Sequence, residues 1–286
     1  MALRDWIFNL TEEMQYLFVP KSREQILKIK DFCEIQRDNM VTVRDISNQK
    51  SSDPYAQMSK NTVSSEAQLK ESDCVRFDTP NAKGIRVMFV GNSITLHGIL
   101  PSIGWYNEFG MAASAKEKDY VHLLEADIKK IDPDAAFCIC QVAGWESNYK
   151  NGSEKLSIYD EARKFCADVI VLRFIENVKK KDYEADVFLR ELDILVKHLD
   201  GSGKAKMVIT TGFWNHPGDG DIRTYAKENG IPCIELGDLG EDDRMKAIGL
   251  FEHKGVANHP GDAGMKVIAE RIMAVLTENH YIPCVD

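Results

Sequence analysis

Four residues between positions 93 and 259 have side chains or backbone groups of the types that acyl transfer requires. Ser93 carries a hydroxyl that can act as a nucleophile. His259 carries an imidazole, the group that most often serves as a general base. Gly144 can turn its backbone N–H toward a ligand, since no Cβ blocks a close approach. Asn177 carries an NH2 group that can donate to a developing oxyanion. Each also has a structural interpretation, because serine and asparagine often cap helices or form turns, glycine forms turns, and a lone histidine is commonly a surface residue.

Ser93 lies just past an apolar run that has the pattern of a buried strand. Arg86 leads into four apolar residues at 87–90, and Gly91 and Asn92 then end the run. In open parallel α/β sheets, ligands bind beyond the carboxyl ends of the strands. Ser93 is therefore either a nucleophile displayed at that edge or the cap of a following helix.

Three known motifs are absent from this position. A phosphate-binding loop needs a second glycine followed by lysine, whereas the chain after Gly91 runs through Ile94, Thr95 and Leu96. A dinucleotide-binding fingerprint needs three spaced glycines, and only Gly91 and Gly98 are present. The nucleophile elbow of α/β-hydrolases needs glycine two residues after the serine, where this chain has threonine.

Apolar and amphipathic segments alternate from Arg86 onward, which predicts an α/β fold. Strands are predicted at 86–90, 136–142, 168–174, 206–211 and 231–236, and helices at 119–131, 154–166, 182–199, 221–229 and about 262–278. Buried strands separated by helices form a parallel sheet that is covered on both faces.

The other candidate residues follow later strands of this predicted sheet. Gly144 comes after the second strand and Asn177 after the third, while His259 lies between the fifth strand and the last helix. Pro260 holds His259 in an extended conformation, and Asp262 is well placed to cap the helix that begins there. Because the strands run parallel, we expect all four candidates to lie at one edge of the sheet.

The order Ser, Gly, Asn, His resembles the four blocks that define the SGNH, or GDSL-type, hydrolases. Ser93 lies in Gly-Asn-Ser-Ile-Thr, Gly144 in an Ala-Gly turn, Asn177 in Glu-Asn-Val and His259 in His-Pro-Gly-Asp-Ala-Gly-Met; the resemblance covers roughly 84–278. The resemblance implies a flavodoxin-like α/β/α sandwich with a five-stranded parallel sheet. It also implies that the protein hydrolyses esters. Ser93 would be the nucleophile and His259 the base. The oxyanion hole would consist of the Ser93 and Gly144 N–H groups and the Asn177 amide, and no metal or organic cofactor is implied.

One position departs from the family pattern. The resemblance implies an aspartate three residues before the histidine, and Val256 stands there. Either Glu252 or a backbone carbonyl orients His259, or the enzyme is slow or inactive. A dyad lacks the nearby negative charge that raises a histidine's pKa, so we then expect the pKa of His259 at or below ~6.5.

Further residues in the same strand-end loops can contact a substrate or simply pack. Three tryptophans form either an apolar platform or the packing beneath long loops: Trp105, Trp145 and Trp214. His216 and His253 are polar residues near the predicted mouth of the site. Arg173 and Glu176 flank the Asn177 loop and are expected to pair with each other.

Composition and charge argue against several classes of partner. The chain has 286 residues, a net charge of −9 and a pI near 5.4, which disfavours nucleic acid or an anionic membrane as the main partner. We find no apolar run near the ~20 residues that span a bilayer and no secretory h-region, so we expect a cytoplasmic protein without membrane insertion.

The seven cysteines of the chain lack a C-x-x-C motif, and we expect buried, reduced thiols instead of a metal or redox site.

Residues 1–80 do not share the alternating pattern and are predicted to be an N-terminal extension of unassigned fold. Their aromatic content suggests that they pack on the main domain, residues 81–286, or on a second subunit of a homo-oligomer.

The sequence favours a serine esterase that acts on small acyl esters, O-acetyl groups on carbohydrates among them, through an acyl-Ser93 intermediate. The alternatives are an acyltransferase that uses the same site, a catalytically weak ligand-binding module of the same fold, and a nucleotide-binding flavodoxin-like protein. The missing phosphate loop disfavours the last of these.

Overall fold

The computed structural model describes residues 68–283, and a six-stranded sheet forms its centre. The strands are β1 (Val75–Asp78), β2 (Arg86–Gly91), β3 (Ala136–Gln141), β4 (Val169–Arg173), β5 (Lys206–Thr210) and β6 (Cys233–Ile234). The α-helices are α1 (Tyr120–Ile131), α2 (Ala143–Ser147), α3 (Asp160–Lys164), α4 (Ala185–Leu199), α5 (Asp219–Glu228), α6 (Gly237–Glu241), α7 (Lys254–Ala257) and α8 (Asp262–Glu278). Short 3-10 helices lie at Glu71–Asp73, Pro101–Ile103, Lys116–Lys118, Tyr149–Tyr159, Lys180–Asp182 and Asp243–Met245.

The strand order confirms the predicted architecture. The sheet runs β1-β3-β2-β4-β5-β6, and β2 to β6 are parallel. Counted among themselves, the parallel strands follow the order 2-1-3-4-5 of flavodoxin-like folds. The predicted strand at 231–236 is shorter than expected, because β6 pairs only through Cys233 and Ile234 with β5.

The sheet also contains an edge strand that the sequence did not predict. Strand β1 pairs antiparallel with β3, with Val75 opposite Cys140 and Asp78 opposite Phe137. Its four residues are half-buried or exposed, so no apolar run marks them. Strand β1 precedes residue 81, where the sequence places the start of the main domain. The rest of the predicted extension, residues 1–67, lies outside the described residues.

Helices cover both faces of the sheet, as the prediction required. Alternate residues of β2 enter two different cores: Val87 and Phe89 face one side, Met88 and Val90 the other. Helices α1 and α8 complete the first core, and α4 and α5 the second; their buried residues include Leu124, Ile128, Ile268, Ile272, Leu192, Leu195 and Ile222. Full burial of one such side chain contributes roughly 1.5–3 kcal/mol.

One predicted helix has a different form. Residues 154–166 fold into the end of the 3-10 segment Tyr149–Tyr159 and the short α3, and the segment kinks at Asn151, where φ is −123°. Gly152 packs so tightly on Trp145 that an added Cβ would lie 2.2 Å from the indole Nε1. Packing over this buried tryptophan therefore sets the path of the chain.

Two further expectations concern membranes and thiols. Among the described residues, we find no helix of the length and apolarity that crossing a membrane requires. The cysteines described are unpaired: Cys74, Cys138 and Cys140 are buried as expected, Cys233 is half-buried, and Cys166 is exposed, contrary to the expectation of buried thiols.

Candidate active site

The loop that carries Ser93 begins where β2 can no longer accommodate a side chain. A Cβ added to Gly91 would lie 1.9 Å from Thr95 Oγ1 and 2.7 Å from the carbonyl oxygen of Arg173. The loop then closes on itself, because the N–H groups of Thr95 and Leu96 both donate to the carbonyl of Asn92, each at 2.9 Å. Ser93 is displayed at the top of this turn and keeps 6% of its surface exposed.

Ser93 and His259 are brought into hydrogen-bond contact although 166 positions separate them. Ser93 Oγ lies 2.9 Å from His259 Nε2. On the other side of the ring, His259 Nδ1 lies 2.7 Å from the carbonyl oxygen of Gly255. A carbonyl can only accept, so Nδ1 holds the proton of the neutral ring and the lone pair on Nε2 faces the serine hydroxyl.

Of the two groups considered for orienting His259, the structure therefore has the backbone carbonyl. Gly255 lies in the short helix α7, where the last carbonyls have no partner within the helix. The imidazole Nδ1–H of His259 donates a hydrogen bond to one of these free carbonyls, that of Gly255. Glu252 is exposed, and Val256, at the position implied for the acid, is buried in a small apolar cluster with Trp105 and other residues.

Asp262 does not cap the last helix, contrary to the prediction. Helix α8 begins at Asp262 itself, after an N-cap residue, Gly261, without a side-chain bond. The Asp262 carboxylate instead accepts from Ser114 N at 2.8 Å, Ser114 Oγ at 2.7 Å and Lys118 Nζ at 2.8 Å. It thus ties the loop after β2 to the helix that follows His259.

The environment of His259 lowers its pKa to about 4, within the range expected for a dyad. The main cause is desolvation of the half-buried ring, which disfavours the charged form; His97 and Arg173 act in the same direction. The Gly255 carbonyl opposes them. Trp214 packs edge-on against the ring, with centroids 5.0 Å apart. His259 is therefore neutral at pH 7, as a general base must be.

The Gly144 backbone N–H lies in the first turn of α2, where N–H groups have no partner within the helix. A Cβ added to Gly144 would meet no protein atom within 4 Å, so open space lies on that side of the residue.

Hydrogen bonds on both sides of the Asn177 amide fix its orientation. Its Nδ2 donates to Glu146 Oε2 at 2.7 Å, and its Oδ1 accepts from Gln68 Nε2 at 3.0 Å. Gln68 Oε1 in turn accepts from Gln141 Nε2 at 2.9 Å. The NH2 group has two protons, so one remains to be donated elsewhere.

Beneath these groups lies a buried network of charged and amide side chains. Arg173, fully buried, donates to Glu176 at 2.8 and 3.1 Å, which confirms the predicted pair. The same guanidinium donates to Asn92 Oδ1 at 2.6 Å, and Asn92 Nδ2 donates to Glu176 at 2.6 Å and to Glu146 at 3.1 Å. The residue next to Ser93 is thereby linked to the loops after β3 and β4.

Three further residues of the site carry no signal in the sequence: Asn92, Glu146 and Gln68. Glu146 follows Gly144 by two positions and reads as an ordinary acidic residue of a loop. Its complete burial depends on contacts with residues 29 and 54 positions away, which no local pattern reveals.

The remaining aromatic and histidine candidates divide between packing and the site. Trp105 and Trp145 are buried beneath the loops, and Trp214 alone of the three touches His259. His216 is buried, with Nε2 near the Val178 carbonyl and Nδ1 accepting from Gly218 N, so its role is structural. His253 accepts from Val256 N as the N-cap of α7.

The strand order and the helices on both faces of the sheet define a flavodoxin-like α/β/α fold. No protein-family model and no curated protein matches the chain. Similar solved structures include a two-domain esterase active on acetylated mannans, with a TM-score of 0.45 and 15% identity over 73% of this chain and 53% of that one. The psychrotrophic esterase EstA from Pseudoalteromonas sp. has a TM-score of 0.46 and 9% identity over 68% of this chain and 97% of that one. A family two carbohydrate esterase from Clostridium thermocellum has a TM-score of 0.46 and 14% identity over 69% of this chain and 65% of that one. The chain spans about half the length of the mannan esterase, and at these identities the likeness is one of fold alone.

Proposed function

We propose that this chain is a serine esterase that transfers the acyl group of a small ester first to Ser93 and then to water. The observation that carries the proposal is the alignment of a hydroxyl, an imidazole and a carbonyl. Ser93 Oγ lies 2.9 Å from His259 Nε2, and His259 Nδ1 lies 2.7 Å from the Gly255 carbonyl. This tautomer presents an unprotonated nitrogen to the nucleophile, as base catalysis requires.

In the acylation half, Ser93 Oγ attacks the ester carbonyl carbon while its proton moves to His259 Nε2. The carbonyl electron pair moves onto oxygen, where the N–H groups of Ser93 and Gly144 and the free proton of Asn177 Nδ2 would stabilise it. Collapse of this intermediate breaks the bond to the alkoxy oxygen. That oxygen takes the proton from Nε2 and leaves as an alcohol.

In the deacylation half, water replaces the alcohol. His259 Nε2 accepts a proton from water as the water oxygen attacks the acyl-Ser93 carbonyl. The second intermediate collapses by breaking the bond to Ser93 Oγ, which takes the proton back from the imidazole. The carboxylic acid leaves and both side chains return to their starting states.

We propose a small acyl group such as acetyl. Ser93 keeps only 6% of its surface exposed, and the ring of Trp214 stands edge-on to the ring of its partner His259. Both features support a short acyl chain over a long one. O-acetyl groups on carbohydrates are the substrates that we would test first.

A panel of nitrophenyl esters of increasing acyl length tests the proposal on wild type and Ser93→Ala. We expect hydrolysis that is fastest for acetate, and a loss on the order of 10⁶ in kcat for the variant, because the nucleophile and its base act as a unit. A folded Ser93→Ala protein that keeps a tenth of the wild-type rate would contradict the assignment.

The same experiment separates the alternative functions. Ester consumption that yields a new ester when an alcohol or sugar is added, and little free acid, would indicate an acyltransferase. Binding of acetylated sugars without turnover would indicate a ligand-binding module.

A further inference from the structure

Glu146 is a buried carboxylate for which the proposed reaction has no chemical use. It lies in α2, its side chain is completely buried, and the hydrogen bonds it accepts come from three directions. Oε1 accepts from Asn92 Nδ2 at 3.1 Å and from the backbone N–H of Ile175, and Oε2 accepts from Asn177 Nδ2 at 2.7 Å. One side chain thus joins the nucleophile loop to the loop after β4.

The loop that Glu146 holds has a strained backbone. Ile175 has a φ of +117°, a conformation that a β-branched residue rarely adopts. Such a residue persists only when surrounding contacts determine its position, and these outliers concentrate at functional sites. The N–H of Ile175 donates to Glu146, and Asn177 follows two residues later. The strained turn is therefore anchored beside the amide that the proposed oxyanion hole needs.

The two ends of the Asn177 amide are held by groups of opposite character. Glu146 can only accept, and it faces Nδ2; the Gln68 NH2 group donates to Oδ1. Rotation of the amide by 180° would turn its oxygen toward the carboxylate and its nitrogen toward a donor. The arrangement therefore selects one orientation and leaves one N–H proton free.

From this geometry we infer that Glu146 is a positioning residue that aims the Asn177 amide at the substrate oxyanion. The inference depends on the proposed function, because it gives Asn177 its oxyanion role. Glu146 does not itself touch the reacting atoms.

The charges around Glu146 are consistent with this role. Glu176 and Tyr159 are the titratable groups that act on Glu146, and Arg173 is bound one residue away, to Asn92. Burial together with Glu176 raises the pKa of Glu146 to about 7. The hydrogen bonds from Asn177, Ile175 and Asn92 lower it and so favour the ionised form. A protonated Glu146 would place an O–H against hydrogen-bond partners that are all donors.

A double-mutant cycle tests whether Glu146 acts through Asn177. Glutamine in Glu146→Gln would keep its oxygen on Ile175 N and Asn92, and would then turn its NH2 group toward Asn177 Nδ2. We expect kcat to fall by ~10–100-fold with little change in KM, less than the 10²–10³-fold that removal of an oxyanion donor costs. In an Asn177→Ala background the same substitution should have no further effect on kcat.

A swapped pair separates loss of the oxyanion donor from loss of stability. In Glu146→Gln/Asn177→Asp, the new amide donates to the new carboxylate, which restores the hydrogen bond without an oxyanion donor. We expect the Tm to recover toward wild type while kcat stays low. A kcat that recovers together with the Tm would show that Asn177 is not an oxyanion donor, and would overturn the inference.

Glu125→Gln is the matched control, since Glu125 is a buried carboxyl on α1 whose pKa burial also raises to about 7. Its neighbours, His122, Asp78 and Lys129, lie outside the site, and its kcat should equal that of wild type. An active wild type whose kcat is unaffected by Glu146→Gln, or equally affected in both Asn177 backgrounds, would overturn the inference alone. A wild type without ester turnover would instead contradict the proposed function, and the inference with it.

Discussion

A carbonyl and a carboxylate can both hold an imidazole, but with different consequences for its charge. The Gly255 carbonyl accepts the Nδ1 proton of His259 and so selects the tautomer that an acid would select. It carries only a partial negative charge, so it stabilises the imidazolium less than a carboxylate would. The low pKa of His259, about 4, follows from this weak compensation of desolvation.

Glu252→Gln should be nearly silent. Glu252 is exposed and the Nδ1 proton of His259 is already bound by a carbonyl, so an amide at this position changes nothing that orients the ring. We expect kcat/KM for nitrophenyl acetate within about twofold of wild type, a surface-substitution effect. A thousandfold loss would instead make Glu252 the third member of a triad.

The pH dependence of kcat/KM should have an acid limb that Glu146 controls. As the proposed base, His259 would act in its neutral form, which with a pKa of about 4 persists well below pH 6. The pKa of Glu146 is raised to about 7, and Glu146 holds the Asn177 amide when its own carboxyl group is ionised. Activity should therefore fall as the pH drops below about 7 in wild type, and the limb should move toward 4 in Glu146→Gln. An identical limb near 6.5 in both proteins would assign it to a His259 of ordinary pKa.

The elements that position the site are mainly loops at the carboxyl ends of strands, and the sequence identifies them unevenly. Buried strands such as β2 and β4 are continuous apolar runs, so their ends, and with them Ser93 and Asn177, could be located from the sequence. Strand β1 is short and half-exposed, and has no such pattern. The carbonyl that holds His259 belongs to the four-residue helix α7, which is too short for a periodic pattern to reveal.

Gly144→Ala tests whether the first turn of α2 faces a substrate. An added Cβ meets no protein atom within 4 Å, and alanine favours helix, so the free energy of unfolding should stay within about 1 kcal/mol of wild type. The methyl group would enter the space proposed for the ester carbonyl, and kcat/KM should fall by roughly 10–100-fold. Unchanged activity in the folded variant would remove Gly144 from the oxyanion hole.

Across the whole molecule, the strand order brings together residues that are remote in the sequence. Because β3 and β4 flank β2, the loops of all three meet, and Asn92, Glu146 and Glu176 form one buried network. From the sequence we could predict that the loops after these strands lie at one edge of the sheet, and that Arg173 pairs with Glu176. It could not predict the network, since each carboxylate alone reads as a solvated residue and only the assembled sheet buries it.

The network should also determine stability. Arg173 is fully buried between Asn92 and Glu176, and Arg173→Met would leave buried carboxylates without their cation. We expect urea denaturation to show a loss of about 3–5 kcal/mol. Arg76→Met, which removes an exposed pair with Glu108, is the control and should cost about 0–1 kcal/mol. Similar losses in both variants would contradict a special role for the buried cation.

Labelling by a fluorophosphonate probe, followed by peptide mapping, tests the central claim most directly. The probe phosphonylates a serine only where a base activates its hydroxyl, and the Ser93–His259 contact predicts one adduct, on Ser93. The adduct should be absent from Ser93→Ala and form far more slowly in His259→Ala, while both variants keep the wild-type Tm within a few degrees. A folded wild-type protein that takes up no label, or labelling that is equally fast in His259→Ala, would contradict an activated serine at this site.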